Sequence, residues 1–417
     1  MDGAGGTTED FVFDVGDPAL LVDPYPVFHR LRERAPMYRT PLGYWVATRH
    51  DDVREILRHK AFGQGDFVAN IRMLYGPDFD VLGHSAYRWL SSIFVMQDPP
   101  DHTRLRGLVT QALSARRVQA MRPRIAEITD RLLDDWLPRG QGDFITDFAY
   151  KLPTLVMCDM LGMRPEEVEG DTLARLNQAI ADAFLVFELR PLGEAELALA
   201  DRQMDYLTDW FNALFDRRRA EPRDDLTTAL IQAGDGGDRL SPHELAVVVI
   251  GLFGAGFETT AHMLGNGMLT FHRNRDQWAA LKADPALAPN AVEEVLRFES
   301  SLQATHRTAF ADTEIGGVTV RAGERVLTLL SAANRDPAMF VDPDRFDIAR
   351  ADVRPLSFGG GIHFCVGAEL ARVEGQVAFT TLARRLPGDW TVDERAIAWR
   401  HGFLFRGLTT LPLRWTP

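Results

Sequence analysis

The spacing of apolar residues divides the chain into a long helical part and a few short β segments. From about Thr103 to Ala220, apolar residues recur every three or four positions and the breaks fall at Pro or Gly, which predicts a series of helices. Strand patterns occur at Tyr44 to Thr48, in "GVTVRAGERVLTLLS" with a hairpin loop at Ala322-Gly323-Glu324, and near the end in "WRHGFLFRGLTTLPLRW". The sequence therefore predicts a mainly α fold of the α+β class, a large helical body with small antiparallel sheets.

One predicted helix is apolar on nearly all sides and should run through the core. It begins in "SPHE", where Ser241 is the N-cap, Pro242 takes the first helical position and Glu244 completes a capping box. The apolar pattern continues to about Thr270, which predicts a helix of roughly 30 residues.

The stretch "GAGFETT", residues 254–260, interrupts the apolar character of this helix. Each of its two glycines costs about 1 kcal/mol against alanine in a helix interior. Glu258, Thr259 and Thr260 add polar groups where apolar residues surround them, and buried polar groups left unpaired are costly. A groove for something bound against the helix would explain both features. A kink whose hydroxyls are satisfied locally is the alternative.

The domain organisation follows from the absence of any linker pattern along the chain. Residues 1–417 are predicted to form a single domain, with residues 1–16 as a flexible N-terminal tail. The one Gly-rich break, "QAGDGGDRLS" at residues 232–241, is short enough to be a surface loop. The first twenty residues carry five acids and no Lys or Arg, so no secretory signal is expected. The longest apolar run, Leu245 to Phe257, is shorter than the ~18 residues of a membrane span, and we expect a cytoplasmic protein without a membrane partner.

Charge and cysteine content narrow the function classes. The net charge of −13 argues against nucleic acid as a partner. Cys158 and Cys365 are too few for a disulfide framework, and no C-x-x-C pair exists for zinc or an iron–sulfur cluster. Between His102 and Arg124 the balance reverses, because this segment has six arginines and no acid. This segment is either a solvated helix face or a docking surface for an acidic partner. The six are Arg104, Arg106, Arg116, Arg117, Arg122 and Arg124.

Cys365 lies between a run of three glycines and a predicted amphipathic helix. The glycines allow the backbone to come close to a flat ligand, and a helix N-terminus favours the thiolate form of a cysteine. A nucleophilic cysteine would need a base, for which His363 is the only nearby candidate. A zinc site would need further ligands at short spacing, which are absent. A single thiolate suits haem iron, whose in-plane positions are already filled, while an inert buried cysteine remains the alternative.

Five segments, in order along the chain, resemble the cytochrome P450 family over about Asp17 to Pro417. "FGGGIHFCVG", residues 358–367, is similar to the family's cysteine-ligand loop, F-x-x-G-x-H-x-C-x-G, at every fixed position. "AGFETT" resembles the oxygen-activating segment of its central helix, and "EEVLR" supplies its E-x-x-R pair. "ANRDPAMFVDPDRFDIAR" is similar to the segment before the cysteine loop. "DPPDHTRLR" resembles the helix that holds the haem propionates.

The resemblance implies a haem b cofactor (iron protoporphyrin IX) between the central helix and the cysteine-loop helix, with Cys365 as the axial thiolate ligand of the iron. It implies that Thr259 hydrogen-bonds the oxygen being activated and that Glu258 connects this oxygen to solvent protons. Glu294 and Arg297 form the E-x-x-R pair, which Arg345 is expected to join. The residues expected to contact the haem, four of them at its propionates, are His102, Arg106, Arg307 and His363, with Phe358 and Gly359 in the cysteine loop.

The implied activity is a monooxygenase of secondary metabolism that inserts one oxygen atom of O2 into an apolar or amphipathic small molecule. No flavin or nicotinamide domain is recognised, so electrons are expected from a ferredoxin and its NAD(P)H-dependent reductase, with the ferredoxin docking on the arginine-rich face of a monomer. Two alternatives stay open. The same fold could carry out peroxide-driven oxidation, desaturation or phenol coupling, or it could be a ligand sensor without turnover. The Glu258-Thr259 pair favours oxygen over peroxide and weighs against a sensor.

The expected walls of the substrate pocket are apolar side chains from several segments. They are Val248, Leu252, Phe253, Ala255, Leu302, Phe403 and Leu404, with a mobile lid at Phe184, Leu185, Val186 and Phe187. Two positions depart from the family pattern. Phe257 stands where bacterial members often have His, and "FESSLQATHR" lacks the proline that many members carry after the E-x-x-R helix. The second departure concerns the turn from Ser300 to Thr305.

Overall fold

Helices form most of the protein in this computed structural model, which describes residues 12–164, 167–168, 171–235 and 238–416. The helices, in chain order, are α1 Ala19–Val22, α2 Tyr25–Arg34, α3 His50–Arg58, α4 Phe67–Tyr75, α5 Ser85–Ser92, α6 Asp101–Ala112, α7 Ala115–Ala120, α8 Arg122–Trp136, α9 Lys151–Met160, α10 Thr172–Ala183, α11 Glu194–Ala220, α12 Leu226–Gln232, α13 Pro242–Arg273, α14 Arg275–Ala283, α15 Ala288–Phe298, α16 Leu330–Ala333 and α17 Ala368–Arg385. The series of helices expected between residues 103 and 220 is confirmed.

The strands are short and lie mostly before α4 and after α15. They are β1 Met37–Arg39, β2 Trp45–Ala47, β3 Phe62–Gly63, β4 Gln141–Asp143, β5 Gly234–Asp235, β6 Asp238–Arg239, β7 Ala304–Ala309, β8 Thr313–Ile315, β9 Val318–Val320, β10 Arg325–Leu329, β11 Thr391–Val392, β12 Ala398–Trp399, β13 Leu408–Thr410 and β14 Pro412–Arg414. The five strands of the main sheet have the order β1-β2-β10-β7-β3, and smaller sheets join β11-β14-β4, β12-β13, β5-β6 and β8-β9. All pairs are antiparallel except β2 and β10, which run parallel.

The hairpin predicted around Ala322-Gly323-Glu324 is wrong. Strand β9 pairs with β8, whereas β10 pairs with β2 and β7. The reason lies in Gly316 and Gly317, which connect β8 to β9 with φ values of 58° and 83°. Two consecutive residues at positive φ are what a tight two-residue hairpin turn requires, so β9 folds back on the strand before it.

The central helix α13 has the predicted capping box. The Ser241 hydroxyl accepts the Glu244 amide at 3.2 Å, and the Glu244 carboxylate accepts the Ser241 amide at 2.8 Å. Among the described residues, α13 is a helix long and apolar enough to cross a membrane, yet 78% of its apolar window is buried inside the protein. Helices α9, α11 and α17 pack on it, and α8 and α15 pack on α17. The apolar surface of α13 is therefore covered by other helices of the same chain.

The glycines of "GAGFETT" allow close packing of neighbouring side chains. A Cβ at Gly254 would lie 2.4 Å from Cζ of Phe184, and one at Gly256 would lie 2.5 Å from Sδ of Met157. Both distances are far shorter than van der Waals contact. These glycines therefore allow the Phe184 ring and the Met157 thioether to pack directly against the helix. The same part of the helix also borders the cavity described below.

The start of the described chain is fixed by an aromatic contact. Residues 1–11 of the predicted flexible tail lie outside the described residues. Phe13 is 3% exposed, and its ring centroid lies 6.1 Å from that of Phe403 in an edge-to-face arrangement. Phe13 belongs to an apolar cluster under the main sheet and is therefore packed, although the predicted flexible tail of residues 1–16 included it.

Candidate active site

The cysteine loop, residues 358–367, forms a tight fold beside α3. The Cys365 amide donates to the Phe358 carbonyl at 2.9 Å, and the Gly359 amide donates to the Leu356 carbonyl at 2.7 Å. Gly361 has a φ of 63°, and a Cβ there would lie 2.1 Å from the Leu57 carbonyl oxygen. Only glycine fits this position, because both the dihedral angle and the contact with α3 exclude a side chain.

The thiol of Cys365 faces a large cavity just before α17. Burial raises the pKa of this thiol, and the backbone amide of Gly367, Arg106, Arg372 and the amide of Ala368 each lower it. Two of these groups are backbone amides at the start of α17, and two are cations. Burial has the largest effect, so the pKa of the thiol lies above its ordinary value, and the amides and cations are the groups that favour the thiolate form.

Histidines and arginines gather next to the cysteine loop. The rings of His102 on α6 and His363 have centroids 4.4 Å apart, and both ring nitrogens of His363 are buried without a hydrogen-bond partner among the described residues. Burial, together with the charge of Arg307, lowers the pKa of His363 to about 3, and burial lowers the pKa of Arg307 to about 10. Arg106 donates to the Phe364 carbonyl at 2.6 Å. This cluster of donors without carboxylates fits a ligand that brings its own carboxylates.

The cavity has a volume of about 760 Å³ and extends from Cys365 to the central helix. The side of α13 that borders it carries residues at spacings of four, three and four: Val248, Leu252, Ala255 and Thr259. The Thr259 hydroxyl donates to the Ala255 carbonyl at 2.8 Å. This hydrogen bond to the carbonyl four residues earlier is common for threonine within a helix. Of the other predicted wall residues, the structure places Phe184, Val186, Phe187, Leu302 and Leu404 at the cavity.

Two predicted wall residues lie elsewhere. Phe253 is fully buried and packs its ring against Phe211 and Phe257, at centroid distances of 5.6 and 5.5 Å. One residue along a helix turns the side chain by about 100°, so the residue after Leu252 faces away from the cavity. Phe403 packs against Phe13, whereas the next two residues, Leu404 and Phe405, line the cavity.

Glu258 is buried in a network of charges that the sequence did not reveal. Its Oε1 lies 3.3 Å from Nε of Arg400 and 3.7 Å from Nε2 of His262. Nη1 of Arg400 in turn lies 2.9 Å from Oε1 of Glu188. Burial raises the pKa of Glu258, but His262 and Arg400 together hold it below its ordinary value. The i, i+4 spacing of Glu258 and His262 is a signal that could have been read, whereas Arg400 and Glu188 are distant in sequence.

The E-x-x-R pair is a fully buried bidentate ion pair. Nε and Nη2 of Arg297 donate to the two carboxylate oxygens of Glu294, at 2.7 and 2.8 Å. The expected third member, Arg345, does not join through its side chain, which is 65% exposed and lies 3.7 Å from Asp347. Its carbonyl accepts from Arg297 at 3.1 Å, and Nε of Arg350 lies 3.3 Å from Glu294. The loop that contains Arg345 therefore contacts Arg297 through its backbone. The side chain that contacts Glu294 comes from Arg350, the next arginine along the chain.

Hydrogen bonds hold the turn after α15 where many family members carry proline. The hydroxyls of Ser300 and Ser357 lie 2.6 Å apart, and Nε2 of Gln303 donates to the Ser300 carbonyl at 2.7 Å. Ser301 is buried as well.

Phe257, the other departure from the pattern, is 2% exposed and packs near Tyr150.

The site combines a cysteine loop, an adjacent cluster of donors suited to carboxylates, and, across one cavity, a central helix with an acid and an alcohol. Together these features define a site of the haem-thiolate class. The comparisons with known proteins agree. A sequence model of the family "Cytochrome P450" matches residues 38–389. The chain belongs to the cytochrome P450 family and is a monooxygenase, an oxidoreductase.

Relatives and solved structures match nearly the whole chain. Cytochrome P450 107B1 of Saccharopolyspora erythraea is 39% identical over 415 residues, which cover 95% of this chain and 96% of that protein. The 6-deoxyerythronolide B hydroxylase of the same organism is 38% identical over 416 residues, covering 96% and 98%. The crystal structure of CalO2 superposes with a TM-score of 0.88 at 32% identity, covering 97% of this chain and 99% of that one.

Proposed function

We propose that this protein binds haem b and inserts one oxygen atom of O2 into an apolar or amphipathic small molecule, by hydroxylation or epoxidation. The observation that carries the proposal is that Cys365 and the Ala255 to Thr259 stretch of α13 line the same cavity. The thiol supplies a metal ligand on one wall, and the hydroxyl supplies a hydrogen-bonding group on another. The apolar side chains between them would hold the substrate.

The residues around the cysteine loop fit a haem. Cys365 would be the thiolate ligand, and Gly359, which lines the cavity with a φ of 70°, lets the backbone approach a flat macrocycle. The propionates would be held by the cluster of donors without carboxylate partners: His102, Arg106, Arg307 and His363. Bound haem supplies the activation of dioxygen, while the protein supplies binding, orientation and electrostatics.

Thr259 and Glu258 are the groups placed to control protons in the cavity. Thr259 makes its one hydrogen bond to the Ala255 carbonyl of its own helix, so a rotation about χ1 would release the hydroxyl to donate into the cavity. His262 and Arg400 hold the pKa of Glu258 below its ordinary value, so the carboxylate stays ionised and can accept hydrogen bonds from water at the cavity and orient that water as a proton source. The pair would deliver protons to the reacting oxygen.

The electron donor is proposed to be an external ferredoxin supplied by an NAD(P)H-dependent reductase. Helices α7 and α8 carry arginines and lie beside α17: Nε2 of Gln119 donates to Glu369 at 2.7 Å, and Arg122 donates to Gln376 at 2.7 Å. Some arginines of the segment are engaged within the chain, since Arg124 pairs with Glu127 and Asp159. Arg116 is exposed, and an acidic ferredoxin docking here would be close to the cysteine loop. We propose that the enzyme works as a cytoplasmic monomer.

The proposal is tested with ¹⁸O-labelled dioxygen and a substrate found by a type I spectral shift. Wild-type enzyme with a ferredoxin pair should place one labelled oxygen atom in the product. Thr259→Ala should bind the substrate equally well but divert reducing equivalents to hydrogen peroxide, because the donor to the oxygen is lost. Thr270→Ala is the matched control, because Thr270 is a buried threonine of the same helix whose hydroxyl donates to the Asn266 carbonyl at 2.7 Å. Unlabelled product, or wild-type coupling in Thr259→Ala, would contradict the proposal.

A further inference from the structure

One cation in the cavity wall has no carboxylate partner among the described residues, and nothing above assigns it a role. The arginines that line the cavity are Arg106, Arg307 and Arg325. Arg106 and Arg307 belong to the cluster beside the cysteine loop, whereas Arg325 begins strand β10. Nη1 of Arg325 lies 3.9 Å from the thioether of Met73, which is a weak acceptor, and its Nε is buried without a hydrogen-bond partner.

A guanidinium in this state is unfavourable unless something pairs with it. Burial lowers the pKa of Arg325, which shows that its surroundings disfavour the charge. Arginine nevertheless keeps its charge in proteins, and the half-buried guanidinium of Arg325 faces a cavity that opens to solvent. An anion that enters the cavity can therefore replace water as its partner.

The register of the main sheet places Arg325 on a polar row near Tyr44. In the β10–β7 pair, Arg325 lies opposite Thr308, and in the β10–β2 pair Val326 lies beside Trp45. Tyr44, one residue before Trp45, therefore lies beside Arg325, and its side chain also lines the cavity. Burial and then Asp14 raise the pKa of Tyr44, while Arg325 lowers it, as expected for two groups close in space. A phenol hydroxyl thus stands next to the guanidinium.

Arg325 lines the same cavity as Arg307, and after burial the charges of both arginines lower the pKa of His306, but the two arginines differ in position. Arg307 lies opposite Val326, so the two arginines leave the sheet on opposite faces. Met73, the neighbour of Arg325, is 58% exposed, and Leu42, another lining residue, is 78% exposed. Arg325 therefore lies toward the end of the cavity that opens to solvent.

The acid at this end of the cavity is Asp14. Its carboxylate accepts the Gly16 amide at 2.8 Å and forms no ion pair with Arg325 in the described part of the chain. The guanidinium of Arg325 is therefore available to a ligand. An anionic ligand at this end of the cavity would be repelled by Asp14 unless it also contacted Arg325.

We propose that Arg325, with the Tyr44 hydroxyl as a second donor, binds a carboxylate at one end of the substrate, while the apolar body of the substrate extends toward Thr259. This inference rests on the proposed function and deepens it, because it assigns the substrate to amphipathic acids. Arg325 is then a specificity-determining residue. It fixes which end of the molecule stays at the cavity mouth and which carbon atoms reach the haem side.

The test is a titration of the haem-loaded enzyme, followed by type I spectral shifts, with saturated fatty acids from octanoic to hexadecanoic acid and with their methyl esters. Wild type should bind at least one acid more tightly than its ester. Arg325→Gln should weaken binding of that acid roughly tenfold to a hundredfold, the loss expected for a charge-assisted hydrogen bond, and leave the ester unchanged. Arg325→Lys should restore part of the preference. Arg321→Gln removes an exposed charge nearby and should change neither ligand.

Several results would overturn the inference. Acids and esters could bind equally, or Arg325→Gln could keep the preference for the acid. Arg325→Gln could also lose haem during purification, which would place the guanidinium at a propionate. If no acid or ester shifts the spectrum of a wild type that still gives a thiolate-type ferrous carbonyl, the substrate class is wrong and the proposed function stands. If the carbonyl spectrum is also absent, the proposed function fails with it.

Discussion

Arg400 holds two buried carboxylates, and its removal should cost stability in a manner that depends on pH. The side chains of Glu258 and Glu188 are 7% and 6% exposed and lie 3.3 and 2.9 Å from the guanidinium. Coulomb's law with an effective dielectric constant of about 20 gives about 5 kcal/mol for one such pair. Breaking a buried ion pair by removing one partner typically costs about 3–5 kcal/mol. For Arg400→Gln we expect a loss in this range near neutral pH.

The pH dependence follows from the pKa of Glu258. In the wild type this pKa is depressed, so the carboxylate contributes stability above the ordinary carboxyl range and loses it as the pH falls. Without Arg400, only His262 opposes the effect of burial, so the pKa of Glu258 rises. The folded variant then takes up a proton in mild acid that the unfolded chain does not. Each unit of pKa is worth about 1.4 kcal/mol, so the deficit should shrink by about 1–2 kcal/mol between about pH 8 and about pH 5.5.

The measurement is urea unfolding of both proteins at these two pH values, followed by far-ultraviolet circular dichroism. Arg385→Gln is the matched control, because Arg385 also contacts two acids, Asp130 at 2.9 Å and Asp134 at 2.6 Å. Its side chain is 25% exposed and its partners are 43% and 66% exposed, so its loss should stay below about 1 kcal/mol. An Arg400→Gln deficit equal at both pH values, or as small as that of the control, would refute this reasoning.

Further predictions concern the buried ion pair and the glycine contacts. Glu294→Gln should lower the free energy of unfolding by about 3–5 kcal/mol, because Arg297 is left charged and buried, whereas the exposed Arg345→Gln should change it by less than about 0.5 kcal/mol. Urea unfolding measures both, and similar values would contradict the assignment of Arg345 to the surface. Gly254→Ala should cost about 1–3 kcal/mol by pushing against Phe184. Gly388→Ala, with no atom within 4 Å, is its control in thermal unfolding, and an equally stable Gly254→Ala would show that Phe184 moves freely.

The sequence was sufficient where a function depends on residues close together in the chain. The cysteine loop, the capped central helix and the E-x-x-R pair are local patterns, and the structure forms each within one segment. Hydrogen bonds and helix periodicity act over a few residues, so their consequences are readable from spacing.

Contacts between distant segments could not be predicted. The partner of Glu258 is Arg400, 142 positions along the chain, and nothing in a local pattern links them. Phe253 and Phe403 were assigned to the pocket on apolar character alone, which does not distinguish a cavity wall from the core on the other side of a helix or strand. That Arg350 and not Arg345 contacts Glu294 depends on the path of the loop between them and α15, which spacing in the sequence does not give.

The most direct test of the whole account is the spectrum of the reduced, carbon monoxide-bound protein. Wild-type protein should bind haem and show the red-shifted Soret band of a thiolate-ligated ferrous carbonyl. Cys365→Ser should lose that band while Cys158→Ser, which removes a buried thiol distant from the loop, keeps it. A Cys365→Ser protein that retained the red-shifted band would contradict the assignment of Cys365 as the haem ligand, and with it the central claim.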